Sequence, residues 1–506
     1  MRTRQLIGSY VTSTRNGNPR SGEQIVLQSG LFLAASVYSF CFDDNLRTIG
    51  HGCMTYFRSL SRQFPVMCPP KGFCVLASPS HGRKRPQFLP LQRSSEMAER
   101  NADTAAPTVA IVGSGPSGCY IAQFLRKRWR DAEITIFDRL PVPHGLIRYG
   151  VAPDHHGTKA VARQFDRLFE RDNVRFVGEV EVGERSPLTL ERLRAAFDIV
   201  VLATGLYADR PLGVPGAQLP QVYGSGRITR LINGHPDETV EDVTFGTRAV
   251  IVGHGNVSID LVRIFLTQPE TLEQLGVDPA LVAALSQLDH LDVVGRSLPH
   301  SAKFDTAMAR ELSKVGDVRF RADGIGEDSG ANDPAAQAKQ DAIIELVENS
   351  PAEARRTVHF HFGWTPAQVS GTERVEGIRF TATDISGAEL RLDADSICTA
   401  IGFSEAANAP LRRSEHESPA ANLDTGYLDQ GLYCVGWLRR GPRGTIPENR
   451  ADARMVADII AGAVGTGDLT IGKPGFADIE DLISGAVPSV PVSDPATLHT
   501  LVKELS

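Results

Sequence analysis

The chain is predicted to be an α/β protein with two Rossmann-like dinucleotide-binding domains, one inserted in the other. Three observations carry this expectation. Two glycine-rich loops, 140 residues apart, each follow an apolar run and open a helix-like stretch. The strand after the first loop ends in an acid, Asp138, and the strand after the second ends in an arginine, Arg296. Finally, the run from Ala394 to Gly402 echoes the Leu-Ala-Thr-Gly turn at 202–205, which reads as the chain returning to its first domain.

The first loop runs Val112-Gly-Ser-Gly-Pro-Ser-Gly118 and the second runs Val252-Gly-His-Gly-Asn-Val-Ser258. In such loops the first glycine (Gly113, Gly253) permits the tight turn out of the strand. The second (Gly115, Gly255) lets backbone amides approach a pyrophosphate, and the third small residue (Gly118, Ser258) lets the helix pack close. A carboxylate after the second strand accepts hydrogen bonds from a ribose diol, so Asp138 suits FAD or NAD. A guanidinium there binds a 2′-phosphate, so Arg296 points to NADP.

Elements follow in order. Strand 108–112 leads to helix 117–128 and strand 133–137, then a helix at about 158–170, strand 174–177 and a buried strand from Ile199. The second domain reads as a strand from about Thr247, an inserted helix over about 267–289, and strands near 291–295 and 317–321. A polar loop at about 323–340 leads to a helix, followed by strands at 357–362 and 376–383. A last strand, Leu432 to Val435, precedes Gly436-Trp437 and a helix from about Asn449 to Ala463. The expected division is 1–106 as an N-terminal extension without ordered structure, 107–214 with 395–468 as the first domain, 215–394 as the second, and 469–506 as a partly disordered Pro- and Ser-rich tail.

Composition narrows the function classes. Residues 1–94 carry twelve Lys and Arg against three acids, leaving 41 bases and 57 acids in the remainder. An acidic body argues against nucleic-acid binding. The chain has no run of eighteen apolar residues, so no transmembrane segment is expected. No Cys-x-x-Cys occurs, which removes a redox disulfide of that type and a cysteine-ligated iron–sulfur cluster, and Cys119, Cys398 and Cys434 read as buried small residues. No metal-ligand or Ser/His/Asp constellation stands out, so no metal is expected. The acid-poor N-terminal segment has two readings: an organellar transit extension, or a start assigned too far upstream with Met97 as initiator. We favour the second, and with it a cytoplasmic rather than mitochondrial protein.

Over roughly Thr108 to Val464 the chain resembles the adrenodoxin reductase family of flavoprotein ferredoxin–NADP reductases. The resemblance rests on the two loops and on two longer motifs: Gly145-Leu-Ile-Arg-Tyr-Gly-Val-Ala-Pro-Asp-His155 and Gly436-Trp-Leu-Arg-Arg-Gly-Pro-Arg-Gly-Thr-Ile446. It implies FAD in the first domain and NADPH in the inserted one, with NADH an alternative donor. It also implies a small iron–sulfur ferredoxin as electron acceptor. Carried over, Ser117, Asp138, Leu146, Val182, Trp437, Gly444, Thr445 and Ile446 match FAD contacts. His254, Gly255, Asn256, Val257, Arg296, Ser297, Glu311 and Gly444 match nicotinamide-cofactor contacts. His155 falls in a motif beside the flavin, as a polar contact or proton path, or as a group ordering its loop.

The chain departs from the family at two points. Ser297 stands where a second arginine is common, so selectivity for NADPH is expected to be weaker. Lys314 stands where a second carboxylate often follows the glutamate. Arg126, Lys127, Arg128 and Arg130, with Arg439, Arg440 and Arg443, are candidate basic islands for an acidic partner. Two other functions stay open: a flavoenzyme of the same fold reducing an organic substrate or oxygen, and a flavin-binding sensing or structural protein.

Overall fold

The computed structural model describes residues 106–326, 333–412 and 421–484. The expected extension up to residue 105, part of the 323–340 loop and the tail from 485 lie outside the described residues. The first domain opens with β1 (Thr108–Val112), β2 (Glu133–Phe137), β3 (Val174–Val177) and β4 (Ile199–Leu202). After the short β5 (Ala208–Asp209) come β6 (Val222–Gly224), β7 (Arg248–Val252), β8 (His290–Gly295), β9 (Val318–Asp323) and β10 (Arg356–Phe362). β11 (Trp364–Ser370), β12 (Gly377–Ala382) and β13 (Glu389–Asp393) follow, then β14 (Ser396–Thr399), β15 (Phe403–Ser404), β16 (Tyr427–Asp429) and β17 (Leu432–Cys434).

Two six-stranded sheets result, in the orders β16-β17-β4-β1-β2-β3 and β6-β14-β7-β8-β10-β9. The last two strands of the chain join the first sheet, so the second sheet is an insertion in the first domain, as expected. Apolar, largely β-branched runs such as Ile199-Val-Val-Leu202 are buried along their whole length, as parallel strands covered on both faces require. On one face of the first sheet lie α1 (Pro116–Arg128) and the long C-terminal helix from Ile446 to Thr466; its other face packs Leu193, Phe197, Leu438 and Ile479. In the second domain α2 (Asn256–Leu266) and α3 (Pro334–Glu348) cover one face, and the antiparallel β11–β13 sheet covers part of the other. The C-terminal helix is α4 hereafter.

The return to the first domain comes later than residue 395. β14 pairs in parallel with β6 and β7, inside the second sheet. Its likeness to the turn at 202–205 has another cause. β4 flanks β1 in its sheet just as β14 flanks β7, so the echoed turn marks the same topological position in each domain. The stretch at 267–289 is two short helices, Pro269–Gln274 and Pro279–Leu285. Gly276, at φ +79°, ends the first, and Asp278 caps the second by accepting from the Ala280 N–H at 2.8 Å. The helix expected from about 158 begins at Ala162, after a separate turn over His156–Lys159. β11 went unread because its mixed, Pro-containing pattern lacks a clean apolar alternation; β13 does alternate, with Leu390 and Leu392 inward, but over only five residues.

The described part of the tail is ordered. Asp198 accepts from the Gly472 and Lys473 N–H groups at 2.9 Å, and Glu133 accepts from the Phe476 N–H at 2.8 Å. The Phe476 ring stacks on Phe137 and lies 3.9 Å beneath the Arg175 guanidinium, while Ile479 is 1% exposed. Pro and Ser content alone hid these anchors. Ile479→Ala should lower stability by about 2–5 kcal/mol in urea unfolding. An unchanged midpoint would show that the tail does not pack in solution.

Candidate active site

The first loop is shaped by contacts that leave no room for side chains. Gly113 has φ +104°, and a Cβ there would lie 2.5 Å from the Ala203 carbonyl oxygen. At Gly118 a Cβ would lie 1.9 Å from the Gly113 carbonyl oxygen, so this glycine sets the helix against the loop rather than meeting a ligand. Gly115, the residue before α1, has open space around it. Here the backbone N–H groups of the first helical turn are free to receive an anion.

A cavity of about 710 Å³ starts at this loop. Gly113, Gly115, Ser117, Asp138, Leu146, His155, Val182, Trp437, Gly444, Thr445 and Ile446 all border it; of the first group of expected residues only Gly118 does not. Asp138 is held in one orientation: Oδ2 accepts from the Ser114 N–H at 2.7 Å and hydroxyl at 2.5 Å, and Oδ1 accepts from the Leu140 N–H at 3.0 Å. Leu146 is an apolar side chain left 36% exposed, facing the cavity. Trp437 is only half-buried; it stacks on Phe403 at 5.8 Å and donates its indole N–H to the Gly444 carbonyl at 3.3 Å. That position is a wall of the cavity, not the core. The N-terminus of α4, fixed by a Thr445–Glu448 capping box, borders the cavity as well.

The second loop repeats the first. Gly253 has φ +132°, with the Ala400 carbonyl oxygen 2.3 Å from where a Cβ would be, and Gly255 before α2 is open. Ser258 takes the place of Gly118 and is fully buried, its hydroxyl without a hydrogen-bond partner. His254 turns inward: its Nε2 lies 3.1 Å from the Val293 carbonyl oxygen and its ring is 4.4 Å from Phe362. Burial pushes its pKa down to about 4, so the ring is neutral at neutral pH and offers a ligand only its backbone. Asn256 is exposed and its side-chain oxygen accepts from the Asp305 N–H at 2.7 Å, while Val257 is half-buried. Arg296 is exposed and makes no ion pair among the described residues, and Ser297 beside it is half-buried. Gly444 borders the large cavity, whereas the other residues of this group lie outside it.

Between the two loops the domains meet through a polar joint. The Arg263 guanidinium, on α2, pairs with Asp154 of the first domain and with Asp260 at 2.5 Å, and donates to His155 Nε2 at 2.9 Å. His155 Nε2 is also 3.6 Å from Asp260 Oδ1. Glu311 ends a helix packed on α2, where its charge acts on Asp260 and Arg263; the exposed Lys314 reaches back to within 3.9 Å of it. Arg263 was not read as a site residue, because the quoted loop ends at Ser258, five residues before it. The signal was its position, one turn after Asp260 on the face of α2 that meets the first domain. A second unread cluster borders the cavity: the Tyr207 ring lies between Arg139 and Arg230, and its hydroxyl donates to Asp237 at 2.9 Å.

Burial lifts the Asp260 carboxyl from its ordinary 3.8 to about 6, with His155 opposing the rise and Glu311 adding to it. The folded state therefore holds this proton more tightly than the unfolded chain. The group's contribution to stability falls as pH rises from about 4 to about 6. Urea unfolding of the wild type relative to Asp260→Asn should show that decline and then level off. A difference independent of pH would mean that the carboxyl titrates normally.

Residues 107–312 match the family described as pyridine nucleotide-disulphide oxidoreductase. Cindoxin reductase of Citrobacter braakii is 44% identical over 386 residues, spanning 76% of this chain and 84% of that protein. The mitochondrial NADPH:adrenodoxin oxidoreductase of Bos taurus is 31% identical over 434 residues, spanning 78% and 87%. The structure of Mycobacterium tuberculosis FprA in complex with NADPH superposes with a TM-score of 0.67 at 28% identity, covering 76% of this chain and 91% of that one. With a relative of this identity matched over most of its length, and both glycine loops and the inserted domain in place, the chain belongs to the adrenodoxin reductase family of flavoprotein ferredoxin–NADP reductases.

Proposed function

We propose that the protein is an FAD-dependent oxidoreductase that passes electrons from NADPH to a small iron–sulfur protein. The observation that carries this reading is the duplicated loop, followed by opposite charges, with a polar joint between the copies. The cavity suits FAD: the open N-terminus of α1 and the capped N-terminus of α4 both border it, and Asp138 is oriented for a ribose diol. FAD, when bound, supplies the conversion of a two-electron donor into one-electron steps. The chain's own residues do the holding. Gly113, Gly115, Ser117 and Asp138 take the adenosine and pyrophosphate part, with Gly118 seating the helix. Leu146, Val182, Trp437 and the Gly444-Thr-Ile446 backbone take the ring end.

NADPH binds along Gly255, Asn256 and Val257 and the His254 backbone. The unpaired Arg296 meets the 2′-phosphate, with Ser297 as a single uncharged donor beside it. Glu311 stands beside the joint, where its charge favours the Arg263 cation and opposes ionisation of Asp260. Where His155 Nε2 accepts from Arg263, its proton sits on Nδ1. This makes His155 a polar group held in place beside the reacting ring.

The basic islands are smaller than the sequence suggests. Arg126 donates to the Arg130, Ala132 and Asn173 carbonyls, and Arg439 and Arg440 are tied to Asp452. Lys127, Arg128, Arg130 and Arg443 remain exposed and are the ones available to an acidic iron–sulfur partner. A cytoplasmic setting belongs to this reading. The bacterial relative at 44% identity favours it over the mitochondrial relatives at 31%. No helix among the described residues is long and apolar enough to cross a membrane.

Anaerobic titration tests the donor. NADPH should bleach the flavin of the purified protein, and Arg296→Leu should raise the NADPH concentration needed for half-maximal rate by roughly tenfold or more, with little effect on NADH. A flavin left unbleached by either nucleotide would overturn the function. Reversing the charges of Lys127, Arg128, Arg130 and Arg443 should raise KM for a ferredoxin by about tenfold and leave reduction of a small dye unchanged. Unaltered ferredoxin kinetics would place docking elsewhere.

A further inference from the structure

We infer that the second domain carries a divalent transition-metal site formed by Asp292 on β8 and His359 and His361 on β10, with Asp323 on β9 bracing the imidazoles from outside the ligand set. The parallel register creates it. His359 lies level with Asp292, and His361 lies level with Asp323. Strand alternation then puts all four side chains on one face of the sheet. The sequence reading found no such constellation because the donors are scattered over seventy residues, and only the His-Phe-His spacing is local.

The spacing of the donor atoms is that of ligands around one ion. One donor atom each from Asp292, His359 and His361 lie within 4.8 Å of one another. His361 Nε2 is 2.8 Å from Asp292 Oδ1; its Nδ1, on the other side of the ring, faces Asp323 Oδ2 at 3.6 Å, a contact that orients the ring from outside the ligand set. Two ligands each about 2.1 Å from a tetrahedral ion stand about 3.4 Å apart. His359 Nε2 is a further sign: it is buried and 2.8 Å from Asp323 Oδ2, yet it is not aligned for a hydrogen bond.

The setting is graded from dry to wet. Asp292 and His361 are buried, His359 is partly exposed and Asp323 is 63% exposed, which gives an inner half and an entry side. Two imidazoles and one carboxylate hold a dication, and the nearby Asp323 carboxylate offsets its remaining charge. The mixed N/O set suits zinc, cobalt or nickel better than magnesium or calcium. His290 Nε2, 3.2 Å from Asp292 Oδ2, orients the carboxylate from behind. Arg321, level with His359 on β9, is exposed, so water screens its charge. None of the three donors borders the large cavity, so the ion would tie β10 to β8 rather than take part in electron transfer.

The test uses untagged, flavin-loaded protein stripped of metal with a chelator. Zinc chloride should bind at one equivalent in calorimetry and raise Tm. Cobalt(II) should give d–d bands of tetrahedral intensity beyond the flavin absorbance. His359→Gln and, separately, the exposed Asp323→Asn should each weaken zinc binding by at least about tenfold with unchanged flavin content. No stoichiometric zinc on the wild type, or equal zinc binding by wild type and the folded variants, would overturn the site and leave a plain hydrogen-bonded His–Asp network.

Discussion

A carbonyl pressed against a glycine organises each half of this molecule. In the first domain the Ala203 oxygen sits where a Gly113 side chain would be, and in the second the Ala400 oxygen does the same to Gly253. The contact forms because the central strand and its neighbour are locked in register. Gly113 N–H donates to the Phe137 carbonyl and Ala203 N–H to Val112, all at 2.8 Å; Gly253 to Val294 and Ala400 to Val252 repeat those lengths. The opposite ends are pinned too, Asp198 by Thr108 and Asp395 by Thr247. Strands fixed at both ends can turn away from the sheet only sharply, which leaves each helix N-terminus open towards a ligand.

The copies differ where their ligands differ. Gly118 is obligatory because a side chain would strike the Gly113 carbonyl, whereas the second loop accommodates Ser258 at the cost of an unpartnered buried hydroxyl. Asp138 is fixed by three donors, whereas Arg296 makes no ion pair among the described residues. A restrained carboxylate and a free guanidinium are what a neutral diol and a doubly charged phosphate each require. Arg263 joins the two halves, one cation between two aspartates and a histidine. Because Asp154 and His155 belong to one domain and Asp260 to the other, this arginine sets how the domains face each other.

The glycine loops, the acid and the arginine, the order of most strands and the insertion of one domain in the other were all legible in the chain. So were the burial of Cys119, Cys398 and Cys434 and the cavity-lining positions from Ser117 to Ile446. These features are local: a turn that needs positive φ, a run that must be buried, or a motif of fixed spacing declares itself in a few residues. The positions drawn from the family resemblance are scattered from Ser117 to Ile446, and the motifs that carry them, not their proximity, are what the chain displays.

What only the tertiary structure decided depends on residues far apart in the chain. The turn at 399–402 looked like a homecoming; strand pairing shows it to be the second domain's own copy of that turn, because register is a property of two strands and not of one. The tail was expected to be partly disordered; in its described part Asp198 and Glu133, more than two hundred residues earlier, hold its N–H groups. His254 reads as a loop histidine, yet Gly295 and Phe362 make room for it inside. Arg439 and Arg440 read as surface charge until Asp452 took them. By itself the sequence determined that two loops would each offer a helix N-terminus, with opposite charge at their ends. Only the fold decided which of its charges are spent on holding the protein together, because a charge is free or paired according to what lies within about 4 Å of it in space.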